Sequence, residues 1–489
     1  MLKRNWHYFL LLFLIGDLAY SGWQYFQFPL DGDLASIVAP GRAYSLVLHD
    51  PFGLRALLGH EIYPAPNRFF AHLLLHEYFQ HVPLLLQGAL SPLDSVYAAC
   101  ALLKLAVHVL LVYVLAVAIS NSRNVLGKRF LLAAVLITPL LQTEGYGGQM
   151  GVIDWSVTYA AFYALPMSLL LLFFLPFLRA ALHGTPLRLS VLECVGLLGL
   201  VVVLALNGPV IPAVVLLVCP TALLLAWRVH FTSLPVVGIG LLRRMVVAIG
   251  ALPWRKLSLF ALFSTLSGYS LYIGRNNSEN LWAGIPLPER YARLPLGVYD
   301  MLTGKLGLPL LLIMLLMNAW LIARSVRTPL GAKAQQALQW LGVFALVYIL
   351  LLPLGGYRAY RENVIRRDSI LPIILGMIGC FALSGYYLLT HLPAVARRRY
   401  AVAVAAFTVV FTVADKPRAR DFNACERQLF ATLAQSTEPV VLLPSDCTLM
   451  SWEPLTDYHG SDINTAMMLH WGIIKTPRLY HQQPLPAGK

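Results

Sequence analysis

Along this chain apolar positions come in long runs separated by short polar loops, in place of the alternation or one-sided helical periodicity of a soluble fold. An apolar helix of about 18 residues, rising 1.5 Å per residue, crosses a hydrocarbon core of roughly 30 Å. Eleven spans are predicted, near 6–28, 95–119, 130–142, 158–178, 190–206, 209–227, 257–273, 308–323, 337–353, 370–390 and 400–414, the third and the last being among the short ones. The stretch 231–252 is also apolar, but Arg243 and Arg244 sit at its centre. Two arginines at mid-bilayer are costly, so an amphipathic segment on the cytoplasmic face is expected there.

The irregular sequence is concentrated in alternate loops. The first, 29–92, is far longer than a connector needs, and 67–81 within it has helical periodicity with His72, His76 and Glu77 near one side. Further loops of this set are 143–157, 274–307 and 354–369, and the tail after residue 414 is predicted to hold a helix over 421–435 and a strand over 440–443. The expected fold is thus an all-α polytopic membrane protein of about 11 helices over 1–414, with a small α/β domain over 415–489.

Charge orients this arrangement. With the N-terminus inside, the inner segments carry 18 Lys and Arg in roughly 80 residues and the outer ones 18 in roughly 200, as the positive-inside tendency requires. The C-terminus is then outside. The run 6–28 follows Lys3 and Arg4, is interrupted by Asp17 and lacks a small-residue cleavage site, so it is expected to be an uncleaved anchor. Composition agrees: 58% of residues are hydrophobic and 12% charged, with a mean hydropathy of +0.67, which excludes an ordinary soluble enzyme. The net charge of +14 is explained by basic cytoplasmic loops and anionic head groups, and no nucleic-acid partner is expected. Inside the spans, the main charges are Asp17, Lys104 and Glu193, and Asp17 and Lys104 are expected to approach one another.

Two constellations carry candidate chemistry. Asp31-Gly32-Asp33 follows the first span; two carboxylates about a flexible glycine suit a general base or a divalent-cation ligand, and equally a helix cap or turn. The second is the loop containing Tyr357, Arg358, Tyr360, Arg361, Arg366 and Arg367, with Glu362 and Asp368. Four arginines on the side usually poor in them suit a phosphate head group, which guanidinium binds in a bidentate fork. Arg275, Arg290 and Arg293, with Lys305, make a weaker version of the same case, since Glu279, Glu289 and Asp300 can neutralise them.

Other features are less specific. His49, His60, His72, His76 and His81 match no zinc spacing, so a surface or substrate-contact role is expected. Gly145 to Gly151 lacks the lysine and strand-to-helix context of a phosphate loop and reads as a flexible loop near substrate. Cys100, Cys194, Cys219 and Cys380 fall within spans, whereas Cys425 and Cys447 share the outer tail and are predicted to form a disulfide.

Acidic residues after the first span, a long first outer loop, about eleven spans and a C-terminal outer domain make the layout resemble the GT-C superfamily of integral-membrane glycosyltransferases. Arg366-Arg367-Asp368-Ser369-Ile370-Leu371-Pro372 looks like the Arg-Tyr-x-x-Pro entry to a late span in the aminoarabinose and mannosyl transferases, with Asp368 in place of the tyrosine. In size the chain is also similar to bacterial O-antigen glucosyltransferases. The resemblance implies a multi-pass enzyme of the bacterial plasma membrane that moves a sugar from a polyprenyl-phosphate carrier to a glycan or lipid acceptor. It implies cationic groups around the departing phosphate, for which Arg358, Arg361, Arg366 and Arg367 stand, and a base for the acceptor hydroxyl, for which Asp31 or Asp33 stands. An inverting single displacement would follow. The cofactor stays unknown, with a divalent cation at Asp31 and Asp33 the candidate. An O-antigen ligase or polymerase, and a flippase or transporter of lipid-linked glycans, are the alternatives.

Overall fold

The computed structural model describes residues 6–234, 240–280, 285–325, 328–355, 363–416 and 422–483. Among them, eight helices are long and apolar enough to cross a membrane: His7–Gln27, Pro92–Ser120, Val157–His183, Val210–Ser233, Trp254–Gly274, Gly307–Arg324, Pro329–Gly355 and Leu371–His391. Helix ends follow local sequence. Pro92–Ser120 starts at Ser91, whose hydroxyl accepts the Asp94 N–H at 3.2 Å, has Pro92 in its first turn, and stops where Asn121 turns left-handed at φ 52°.

Three of the eleven expected spans do not reach this standard. Lys128–Ile137 has 10 residues and passes into a 3₁₀ turn at Thr138–Leu140, where Pro139 has no N–H to continue the helical ladder. Val191–Ala205 has 15 residues, closed at its start by a Ser190–Glu193 capping box. Ala394–Ala414 has 21, but Arg397, Arg398 and Arg399 stand near its beginning. The apolar stretch with two central arginines forms a short helix, Leu241–Gly250, with Leu241, Leu242 and Val246 exposed.

The bundle is centred on Pro92–Ser120 and Leu371–His391, whose most apolar windows are each 67% buried, against 11% for Pro329–Gly355. Polar groups inside it are paired helix to helix. Asn318 donates to Ser384 Oγ at 2.9 Å and accepts from Tyr400 at 2.8 Å, and Thr138 donates to Asp17 at 2.7 Å.

Alternate loops meet at the same end of the bundle. Ser278 N–H reaches the Tyr63 carbonyl at 3.1 Å, Gln149 donates to the Met301 carbonyl at 2.6 Å, and Arg367 donates to the Gly148 carbonyl at 2.9 Å. At the other end Arg179 donates to Asn121 at 2.9 Å and Lys333 to the Leu182 carbonyl at 3.2 Å.

The tail pairs strands Val440–Pro444 and Leu479–Gln483 in parallel, Val441 against Tyr480, and packs helices Ala424–Gln435 and Asp462–His470 with them. Cys425 and Cys447 form a disulfide with Cα atoms 6.3 Å apart. Trp471, fully buried, donates from its indole to the Phe79 carbonyl at 2.9 Å, and Leu429, Phe430 and Trp471 share a core with Leu75 and Phe79 of the helix Phe69–Leu86. The tail is therefore seated on the first loop.

Candidate functional site

The first helix ends at Gln27, and Pro29 carries the chain into Asp31-Gly32-Asp33. Asp31 is 1% exposed and accepts three donors: Thr158 Oγ1 at 2.7 Å, Thr158 N at 3.1 Å and Asp33 N at 3.2 Å. Thr158 belongs to the first turn of Val157–His183, so the carboxylate lies at the positive end of a long helix. Asp31 as an open base or cation ligand does not fit this burial; it anchors a segment. Asp33 is only partly buried, and its Oδ1 accepts the Trp452 indole N–H at 2.9 Å. Its side chain makes no cap bond to the following helix, Leu34–Val38.

Gly32 explains the glycine of this triplet. A Cβ there would stand 2.5 Å from the Trp452 backbone nitrogen and 2.8 Å from the Ser451 carbonyl carbon, so the tail presses directly on the backbone between the two acids. Next to it Glu426 accepts from Leu30 N at 3.0 Å, Tyr97 OH at 2.7 Å and Met450 N at 3.2 Å. Burial pushes the Glu426 carboxyl up to about 7.

A cavity of about 450 Å³ opens beside this region, lined by Gly147, Gly148, Gln149, Tyr159, Asp300, Met301, Gly304, Lys305, Arg366, Arg367 and Asp368. The turn that presents the two arginines is set by Ser369, whose hydroxyl accepts Arg366 N–H at 2.9 Å, ahead of Pro372 in the first turn of Leu371–His391. Arg366 pairs with Asp368 at 2.9 Å, and Arg367 forms an ion pair with Asp154. Burial raises the Asp154 carboxyl above its usual range, with Arg367 pulling the other way. The glycine-rich loop wraps these cations: a Cβ on Gly151 would fall 2.5 Å from Arg367 Nη1, and one on Gly147, at φ +65°, 3.2 Å from Lys305 Cε. It is a cradle for cationic side chains.

The segment from Asp154 to Tyr159 joins the two constellations. Asp154 holds Arg367 at one end, Thr158 holds Asp31 near the other, and Tyr159 lines the cavity. Ser156 N–H donates to Asp154 at 2.9 Å, and the Ser156 hydroxyl caps Tyr159 N at 3.1 Å. Beneath, Lys104 is 1% exposed and donates to the Trp155 carbonyl at 2.6 Å, with its ammonium 4.8 Å from the Phe28 ring centre. Its hydrogen bond goes to the loop backbone at Trp155, whereas Asp17 accepts from Thr138. The expected approach of Asp17 and Lys104 is replaced by these separate partners, because Lys104 faces the loop segment. A π-helical turn, Ala160–Ala164, follows and carries the chain into the bundle.

The remaining expected residues divide. Tyr357, Arg358, Tyr360 and Arg361 lie outside the described residues. Arg275 lies over the Tyr272 ring at 3.8 Å, Arg290 donates to the Ile285 and Pro353 carbonyls at 2.8 and 3.3 Å, and Arg293 pairs with Glu289 at 2.5 Å; none of the three lines the cavity. His72 is a core residue, stacked between Tyr44 and Phe162, and burial pushes its imidazole down to about 3. Among the described residues no three His, Cys, Asp or Glu side chains converge as a metal site, and both Asp31 oxygens accept from Thr158 or Asp33. Asp154, Thr158, Tyr159, Trp452 and Glu426 carry no sequence signal of their own, each being one polar or aromatic residue in an ordinary context. Compared with known proteins, the chain matches no family model and no curated protein.

Proposed function

We propose that this protein is a membrane glycosyltransferase that moves a sugar from a polyprenyl-phosphate carrier to a glycan or lipid-linked acceptor. One observation supports this reading above others: the six-residue segment Asp154 to Tyr159 ties the cationic cavity at Arg367 to the acidic triplet at Asp31. A phosphate leaving group needs cations, and an attacking hydroxyl needs a base nearby. Arg366, Arg367 and Lys305 take the phosphate, and Asp33, the accessible acid of the triplet, takes the hydroxyl proton. In the step itself the acceptor oxygen bonds to the anomeric carbon, the bond from that carbon to the phosphate oxygen breaks, and the electron pair leaves with the phosphate. A single displacement inverts the anomeric centre.

In this reading eleven helical segments pass between the two ends of the bundle, with the N-terminus cytoplasmic and the site and tail on the outer face of a bacterial plasma membrane. Alternate loops meeting at opposite ends and the inner density of basic residues support that orientation.

The test uses the full chain in lipid nanodiscs with a radiolabelled polyprenyl-phosphate hexose. Label should leave the carrier, and Arg367→Gln and Asp33→Asn should each abolish its release. Unchanged carrier in the presence of the native protein, together with carrier counterflow in vesicles, would replace the enzyme with a transporter.

A further inference from the structure

Trp452 combines exposure with rigidity. Its side chain is 43% exposed, in a tail whose other tryptophan, Trp471, is fully buried. It is nonetheless fixed on three sides. The indole N–H binds Asp33 at 2.9 Å, the Tyr159 ring lies 5.5 Å away at 43°, and the Trp155 ring meets it edge-on at 5.6 Å and 79°. Its backbone nitrogen rests against Gly32, where a Cβ would fall 2.5 Å away. A large aromatic held this firmly, with part of its surface uncovered, presents a fixed apolar face to an incoming ring.

We propose that Trp452, with Tyr159 beside it and Asp33 at its edge, forms a carbohydrate subsite that seats the pyranose ring of the acceptor. The inference rests on the glycosyltransfer reading and names its second substrate by chemistry. A neutral pyranose has one apolar face of C–H groups and a rim of hydroxyls. The indole offers a flat apolar surface to the face, and the Asp33 carboxylate at its edge, an acceptor already shown by its bond from the indole N–H, faces the rim. Tyr159 is shared with the wall of the cationic cavity, so a ring seated on Trp452 has its hydroxyls between Asp33 and the cavity. The tail thus supplies a substrate-positioning residue, and its seating on Gly32 sets where that residue stands.

Saturation-transfer NMR on the full chain in nanodiscs, with methyl glucoside, methyl galactoside and methyl mannoside as probes and no lipid donor, tests this without requiring turnover. The native protein should transfer magnetisation to the ring C–H protons of at least one glycoside. Trp452→Ala should weaken the signal about fivefold, the scale of one aromatic contact. Trp452→Leu keeps apolar bulk for tail packing and should lose the signal equally, whereas Trp452→Phe should keep most of it. Silence from the native protein with all three probes, or equal signals from the native and Trp452→Leu proteins, would overturn the subsite. A persistent glycoside signal in a protein that never releases sugar from the lipid carrier would sink the transfer reading alone and leave the subsite supported.

Discussion

Arg367 crosses from the turn before Leu371–His391 to Asp154, 213 residues earlier in the chain, and there also donates to the Gly148 carbonyl at 2.9 Å. The carboxylate is 92% buried and the guanidinium about three-quarters so, and one planar group satisfies two acceptors of the loop 143–157. Arg367 lines the cavity, and the pair holds one end of the Asp154 to Tyr159 segment, whose Thr158 bonds Asp31.

Removing one member strands the other. Arg367→Gln should lower stability by about 3 kcal/mol, the scale for leaving a buried partner uncompensated, less what solvent recovers at the exposed edge. Arg367→Lys keeps the charge but has no fork to hold Asp154 and Gly148 together, so it should fall between the two. Thermal unfolding in detergent measures this, and an Arg367→Lys protein as stable as the native one would show that geometry is unimportant there.

The two acids of the triplet should respond differently to the same chemical change. At Asp31 an amide would turn an NH₂ toward one of three donors, so Asp31→Asn should cost about 1–3 kcal/mol of stability. Asp33 is only partly buried, and Asp33→Asn can still accept the Trp452 indole; it should fold normally and lose transfer. Normal melting in Asp31→Asn, or normal transfer in Asp33→Asn, would reverse the assignment of anchor and base.

Docking of the tail should weaken as pH rises. Burial lifts the Glu426 carboxyl from its ordinary 4.5 to about 7, so between these values the folded protein holds a proton that the unfolded chain has lost. The stability it contributes is complete below pH 4.5 and is lost as pH rises through 7. Asp415, lifted by burial from 3.8 to about 7, acts in the same direction. The combined loss from pH 5 to 8 is on the order of a few kcal/mol, since a tenfold change in proton affinity is worth about 1.4 kcal/mol. Protease resistance of the tail at pH 5 and 8 reads it, and Glu426→Gln, which holds the same place without ionising, should remove its share and leave that of Asp415. A native tail equally resistant at both values would contradict the burial argument.

Sequence alone carries the bundle because long apolar runs leave few options, and it carries Arg366 and Arg367 because four arginines in one outer loop break the usual charge asymmetry. Arg275, Arg290 and Arg293 look similar by the same criterion. They differ in finding partners within their own loop or at a nearby carbonyl, which depends on distances that spacing does not encode. Asp31 and Asp33 are equivalent in sequence; burial under Thr158 separates them. Trp452 and Asp154 are invisible there because their meaning comes from residues hundreds of positions away. The Lys128–Ile137 helix is shorter than its apolar run because hydropathy passes smoothly over Pro139, which backbone hydrogen bonding does not.

Gly32→Ala tests whether the tail must sit on the acidic triplet. Gly32 is not among the left-handed residues, so alanine brings no backbone strain of its own, and the whole effect is the added Cβ at 2.5 Å from Trp452 N and 2.8 Å from Ser451 C. Those are backbone atoms with no rotamer to yield, so the tail must shift. The shift draws the Trp452 indole away from Asp33 while the disulfide between Cys425 and Cys447 holds the tail's own fold together. Gly32→Ala should therefore expose the tail to protease and weaken the glycoside signal without lowering the melting temperature of the bundle. Gly16→Ala in the first helix, where a Cβ meets nothing within 4 Å, is the control and should match the native protein in all three measurements. A Gly32→Ala protein with native protease resistance would mean that the tail tolerates the displacement, and that Trp452 is held by its aromatic neighbours instead of by the seat on Gly32.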